Sequence, residues 1–277
     1  VNKNPEILSR AYKISFSNGE FGCKVLGNGS KKLISFHGFG QNGLAYLPLA
    51  ISLKDYTIFS LELPFHGSTQ IIDKNLRLMP DQLIEVVSKM VIREEMSEFS
   101  LAGFSIGARL LYPVIQKFAG SIERVILIAP DGITENIWYK LATRSGLSRS
   151  IFRKVILNHH TFTKLIAFAM RFKIIGKATG IFAERSAHTN KNKEMVYDTW
   201  CFLRDLRLDV DLLARVINKA AIEAIFVIGL NDHIIRKKHI VPLLSKLDHF
   251  ELIELPSPHH KLINKYSESI IAMTPGK

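Results

Sequence analysis

Leu101-Ala102-Gly103-Phe104-Ser105-Ile106-Gly107-Ala108 sets a serine between two glycines, G-x-S-x-G, directly after the apolar run 99–102 and ahead of a helical stretch, 106–118. That context reads as a sharp turn from strand to helix, with the serine at its apex in strained backbone geometry. A serine that is to attack a carbonyl has to stand clear of the sheet in this way. The glycines two positions to either side, Gly103 and Gly107, answer a need for close backbone approach, where a side chain would collide with the neighbouring strand and helix.

Outward from this turn, short apolar strands alternate with helical stretches. Residues 11–16 and 21–26 flank Ser17-Asn18-Gly19-Glu20 as the arms of a hairpin. Residues 32–36 form a buried-type strand running into His37-Gly38-Phe39-Gly40-Gln41-Asn42-Gly43, and residues 56–63 form another, ending at Pro64-Phe65-His66-Gly67-Ser68-Thr69. Helical spacing occupies 44–53, bent by Pro48, and 80–95, where Leu83, Val87, Met90 and Val91 recur at helical intervals and Pro80 suits the first turn. Residues 124–129 are a strand closed by Pro130-Asp131-Gly132. The alternation predicts an α/β fold whose parallel sheet is covered on both faces.

The rhythm then breaks. Residues 133–218 hold no clear strand, only helical stretches such as 151–157, 163–172 and 195–205, so the chain divides into a core, 1–132 and 219–277, and a helical insertion, 133–218. Strands return at 224–230 and 250–255, followed by a helix over 261–273.

With the serine turn placed, Asp232 in Gly229-Leu230-Asn231-Asp232-His233 and the pair His259-His260 fall just beyond the two late strands. This order of serine, acid and histidine resembles the α/β-hydrolase family. The resemblance runs over nearly the whole chain. Glu62-Leu63-Pro64-Phe65-His66-Gly67-Ser68-Thr69 looks like that family's D-L-P-G-H-G-x-S loop, with Glu for Asp, Phe for the first Gly and Thr for the last Ser. Ser105 in place of an aspartate sets the chain apart from the dehalogenase branch. The resemblance implies a mostly parallel central sheet with helices on both faces, and 133–218 in the place of the family's cap. It implies Ser105 as nucleophile, Asp232 as acid, and the backbone amides of Phe39 and Ile106 as the oxyanion donors. The family's glycine-histidine spacing points to His260 as the base, with His259 in the glycine position. Asp131 is the competing acid, and His37 and His66 are expected to hold their loops by hydrogen bonds.

At 277 residues, with 47% hydrophobic and 22% charged residues, the chain suits one large α/β domain or a core with an inserted subdomain, and the composition argues against disorder. Its two cysteines, Cys23 and Cys201, lie outside any metal-ligand spacing and read as buried thiols. No metal or other cofactor is implied, because no ligand cluster, G-x-G-x-x-G or Walker loop occurs, and adjacent His159 and His160 diverge by about 100° on a helix. No signal-like core or bilayer-length apolar run is present, and a cytoplasmic setting is expected.

The net charge of +12 is concentrated: residues 132–219 hold sixteen Lys and Arg against seven Asp and Glu, and no acid lies between Glu135 and Glu184. Such a surface suits an anionic membrane surface or an acidic partner, nucleic acid being the less expected. For function the sequence implies a serine hydrolase of an ester, thioester or related small-molecule acyl substrate, with Phe39, Phe104, Trp138, Phe168 and Trp200 as candidate apolar lining. The alternatives are a carbon–carbon bond hydrolase or lyase using the same three residues, and a non-catalytic ligand sensor on the same fold.

Overall fold

The computed structural model describes residues 8–172 and 174–273. Lys173, one of the residues of the basic run, and the chain ends 1–7 and 274–277 assigned to the core lie outside the described residues. The chain forms two compact units, one made of Val1–Ile72, Met79–Thr134 and Leu206–Lys277, the other of Asp73–Leu78 and Glu135–Asp205.

The first unit is built on a nine-stranded sheet. Its strands are β1 (Leu8–Phe16), β2 (Gly19–Leu26), β3 (Lys31–Phe36), β4 (Tyr56–Leu61), β5 (Gln70–Ile71), β6 (Phe99–Phe104), β7 (Ile122–Ile128), β8 (Glu223–Gly229) and β9 (Glu251–Leu255). They lie in the order β1-β2-β4-β3-β6-β7-β8-β9, with β5 paired to β2. The β1–β2, β2–β4 and β2–β5 pairs are antiparallel, and every pair from β4 through β9 is parallel. Strands β4 and β6 are buried along their whole length, which is why they read as continuous apolar runs rather than alternating ones.

Helices of this unit are α1 (Leu47–Ser52), α2 (Pro80–Arg93) and α3 (Ala108–Phe118). In α1 Pro48 stands in the first turn, where its missing N–H costs nothing, so no bend results; a separate 3-10 turn, Gly43–Tyr46, leads in. Pro80 opens α2 in the same manner, and Gln82 Oε1 accepts from the Met79 amide. Pro113 is inside α3 and buried among Leu110, Leu111, Val114 and Ile115.

The helical unit contains α4 (Ile137–Thr143), α5 (Gly146–Leu157), α6 (His159–Arg171), α7 (Lys177–Ser186) and α8 (Asn190–Phe202). Their starts are written locally: Asn136, Ser145, Asn158 and Thr189 each accept a hydrogen bond from the first turn of the helix they precede. Its interior is aromatic, with Trp200 against Tyr139 at 5.3 Å and Phe152 at 5.6 Å between ring centroids. Segment Asp73–Leu78 joins this unit through the Leu78 amide on the Phe202 carbonyl and the Lys74–Asp198 and Arg77–Asp205 ion pairs.

The division therefore differs from the sequence reading in three places, the smallest being residues 133–134, which group with the sheet. Residues 73–78 group with the helices, and residues 206–218 group with the sheet. The helix there, α9 (Val210–Lys219), buries Leu213, Ala214 and Ile217 and packs on α3 and on α10 (Lys237–Leu244). Helical spacing alone cannot assign a helix to one body or the other. The chain continues through β9 to α11 (Leu262–Met273), which packs on α1.

Candidate active site

Ser105 stands where β6 gives way to a 3-10 turn, Ser105–Gly107, that runs into α3. Its φ is +52°, in the left-handed region that a residue with a Cβ seldom adopts. The glycines make that turn feasible. A Cβ on Gly107 would meet the carbonyl oxygens of Phe36 and His37 at 2.3 and 2.4 Å, and one on Gly103 would meet Ala108 Cα at 2.8 Å. The β3 end, the elbow and α3 are thus in backbone contact.

A continuous hydrogen-bonded chain links the serine to a histidine and an acid. His259 Nε2 lies 3.0 Å from Ser105 Oγ, and His259 Nδ1 lies 2.6 Å from Asp232 Oδ2. Asp232 follows β8, and its side chain is fully buried. Its other oxygen, Oδ1, accepts from the amides of Ile234 and Ile235 at 2.8 and 3.0 Å, which locks the carboxylate in one orientation. Gly229 permits this turn, since a Cβ there would meet the Ser257 carbonyl oxygen at 2.3 Å. The ring of Phe104 packs on His259, centroids 4.9 Å apart.

The expectation that His260 faces the serine is corrected: His259 does, and His260 is exposed. After β9 the chain turns tightly at Pro256, where the Ser257 amide donates to the Leu255 carbonyl at 2.7 Å, and Pro258, extended at ψ 161°, delivers the first histidine into the core. Both histidines then belong to one 3-10 turn, His259–Lys261, in which successive side chains diverge by about 120°. Only one of them can point at Ser105. The family spacing reserves the preceding position for glycine, and here the chain reaches the serine one residue earlier.

Asp131, the competing acid, is otherwise engaged. Arg109 Nε donates to Asp131 Oδ2 at 2.6 Å, Tyr112 donates to the Asp131 carbonyl at 2.7 Å, and the Asp131 amide donates to the Ser105 carbonyl at 3.1 Å. Arg109 was not singled out by sequence. Its position one helical turn after the serine, on the apolar first part of α3, is the available signal.

Phe39 lies in the turn after β3, and Ile106 is the residue after the serine. The loop carrying Phe39 is held by its neighbours. Gln41 Oε1 accepts from the Gly38 amide at 2.9 Å, and His66 Nε2 accepts from the Gly40 amide at 3.0 Å while its Nδ1–H donates to the Pro64 carbonyl at 2.9 Å. His37 does the same for the other loop: Nδ1–H donates to the Gly38 carbonyl and Nε2 accepts from the Leu63 amide. Each therefore needs one protonated and one bare nitrogen. Burial, and for His37 the adjacent His66, lowers both: His37 to about 3, His66 below its ordinary value.

Glu62 is the anchor beneath these loops. Burial pushes its carboxyl upward, but the Ser68 amide and hydroxyl, the Gly43 amide and nearby Lys24 outweigh that, so it titrates below the ordinary range. Its substitution for the family's Asp leaves room for no side chain at Gly67, where a Cβ would meet the carboxyl carbon at 2.1 Å.

Of the candidate lining residues, Phe39 and Phe104 belong to the sheet unit beside these loops. In the helical unit Trp200 belongs to the aromatic interior, whereas Trp138 and Phe168 are 45% and 52% exposed. Cys23 and Cys201 are buried free thiols, pushed up by burial to about 12 and about 11.

Neither a protein-family model nor a curated protein matches the sequence. Solved structures do resemble the chain. A thermophilic esterase from Thermogutta terrifontis superposes with a TM-score of 0.68 at 12% identity, over 96% of this chain and 97% of its own. The thioesterase domain of the curacin biosynthetic pathway gives 0.63 at 13%, over 95% and 99%. The 2-hydroxy-6-oxo-6-phenylhexa-2,4-dienoate hydrolase of a Rhodococcus species gives 0.63 at 14%, over 95% and 97%. Strand order, the serine at the end of β6 and these superpositions agree: the chain has the α/β-hydrolase fold.

Proposed function

We propose that this chain is a serine hydrolase that cleaves an ester, a thioester or a related acyl compound through an acyl-enzyme on Ser105. The observation that carries the reading is the unbroken hydrogen-bonded line from Ser105 Oγ through His259 to the buried Asp232, set on a strained elbow. In this reading Ser105 Oγ attacks the acyl carbon and its proton passes to His259 Nε2. Asp232 keeps the second proton on Nδ1 and stabilises the imidazolium. The backbone amides of Phe39 and Ile106 take the developing oxyanion, a pair of donors each worth ~3 kcal/mol. His259 then returns its proton to the departing alcohol or thiol oxygen or sulfur, and water repeats the sequence to free the acid.

The solved structures that resemble the chain include an esterase and a thioesterase domain, which supports acyl transfer as the first chemistry to test. A fluorophosphonate probe followed by peptide mass mapping is the direct experiment. Labelling confined to Ser105, together with turnover of a p-nitrophenyl acyl series, is expected. An unlabelled Ser105 in the folded protein would overturn the reading.

A further inference from the structure

The helical unit presents large apolar side chains to solvent next to its basic ones. Leu147, Ile151, Leu165, Phe168 and Phe172 are each 52–74% exposed. Along α6 and its C-cap, Leu165, Phe168 and Phe172 fall within an arc of about 60°, bordered on one side by the buried Phe162 and on the other by Lys164 and Arg171, which lie together. The rings of Phe168 and Phe172 touch, centroids 4.4 Å apart. On α5, which packs against α6, Leu147, Ile151 and Lys154 share one face opposite the buried Ile156. No acidic residue interrupts this stretch between Glu135 and Glu184.

A solvated basic face does not account for five such apolar groups in one segment, because a water-exposed helix gains nothing from them. Duplex or single-stranded nucleic acid would use the cations and leave the aliphatic Leu147, Ile151 and Leu165 without a role. A lipid surface uses both. Aromatic and aliphatic side chains enter the headgroup–acyl boundary while Lys and Arg meet anionic headgroups. We propose that the outward faces of α5 and α6 dock this chain on the surface of an anionic bilayer. The attachment proposed is interfacial, and no helix among the described residues is long and apolar enough to cross a membrane. This goes beyond the hydrolytic reading and does not depend on it.

The test is co-sedimentation of the full chain carrying Ser105→Ala, which separates binding from lipid turnover. Vesicles of phosphatidylcholine alone are compared with vesicles that also contain phosphatidylglycerol. Retention by the anionic vesicles only, falling steeply with salt, is expected. Lys164→Gln with Arg171→Gln should weaken it by about fivefold per charge removed. Phe168→Ser with Phe172→Ser should weaken it by about tenfold or more at low salt. All these positions are exposed, and unchanged far-ultraviolet dichroism and melting check that the variants fold. Equal retention by neutral and anionic vesicles, or by none, overturns the proposal. So does loss of binding in the charge variant with none in the aromatic variant, and so does capture of a duplex oligonucleotide in place of vesicles.

Discussion

Arg109 and Asp131 meet in a partly buried ion pair beside the elbow, Nε to Oδ2 at 2.6 Å, with 4% and 21% of their side chains exposed. An acid so committed cannot orient His259, which already bonds Asp232. Asp131→Asn should therefore lower stability by about 2 kcal/mol, between the values of exposed and buried pairs, and leave probe labelling of Ser105 intact. Asp232→Asn should instead depress turnover by about 10⁴-fold with a smaller change in melting. Urea melts and single-turnover rates on the two variants check the division of labour.

The two adjacent histidines should separate cleanly. His259→Ala is expected to abolish fluorophosphonate labelling at neutral pH, because no other imidazole reaches Ser105 Oγ among the described residues. His260→Ala, at an exposed position, should label at the wild-type rate. The opposite pattern would return the base to His260.

The elbow's strain is measurable. Ser105→Ala and Ser105→Gly should both be inactive, yet glycine alone tolerates φ +52°, so Ser105→Gly should be more stable than Ser105→Ala by about 1 kcal/mol. Equal melting of the two would mean that the turn relaxes once the hydroxyl is gone.

A pH dependence follows from His37. Its folded value of about 3 lies below the ordinary 6.5, so between those values the unfolded chain binds a proton that the folded chain refuses. Stability from this group is full above pH about 6.5 and is lost as pH falls toward 3. In equilibrium urea melts, His37→Asn should be less stable than wild type at pH 7 and should show a shallower decline on acidification, by the contribution of one proton.

The sheet and its serine turn were readable because each rests on local rules: fully apolar strands for a two-sided sheet, and Gly103 and Gly107 for backbone crowding. Asp232 was readable from its place just past a late strand. What escaped was set by distance in the chain rather than by local pattern. Helix α9 looks like its helical neighbours until its buried Leu213 and Ile217 are seen against α3. Helix α10 was overlooked because Pro242 interrupts its eight residues. The choice between His259 and His260 turns on a single residue of loop length, set by the tight turn at Pro256 and the extended Pro258.

The Ser105–His259 contact joins residues 154 positions apart, and its histidine is carried by the loop that leaves β9, which among the described residues pairs with β8 at the end of the strand order. Chains that fold as they are synthesised form their early segments first. A nascent polypeptide that has already closed β3, β6 and the elbow thus holds Ser105 without the His259 imidazole beside it. The line from Ser105 to Asp232 closes only when β9, the last strand of the sheet in chain order, has docked, so probe labelling of Ser105, if the proposed reading holds, would report a completed sheet.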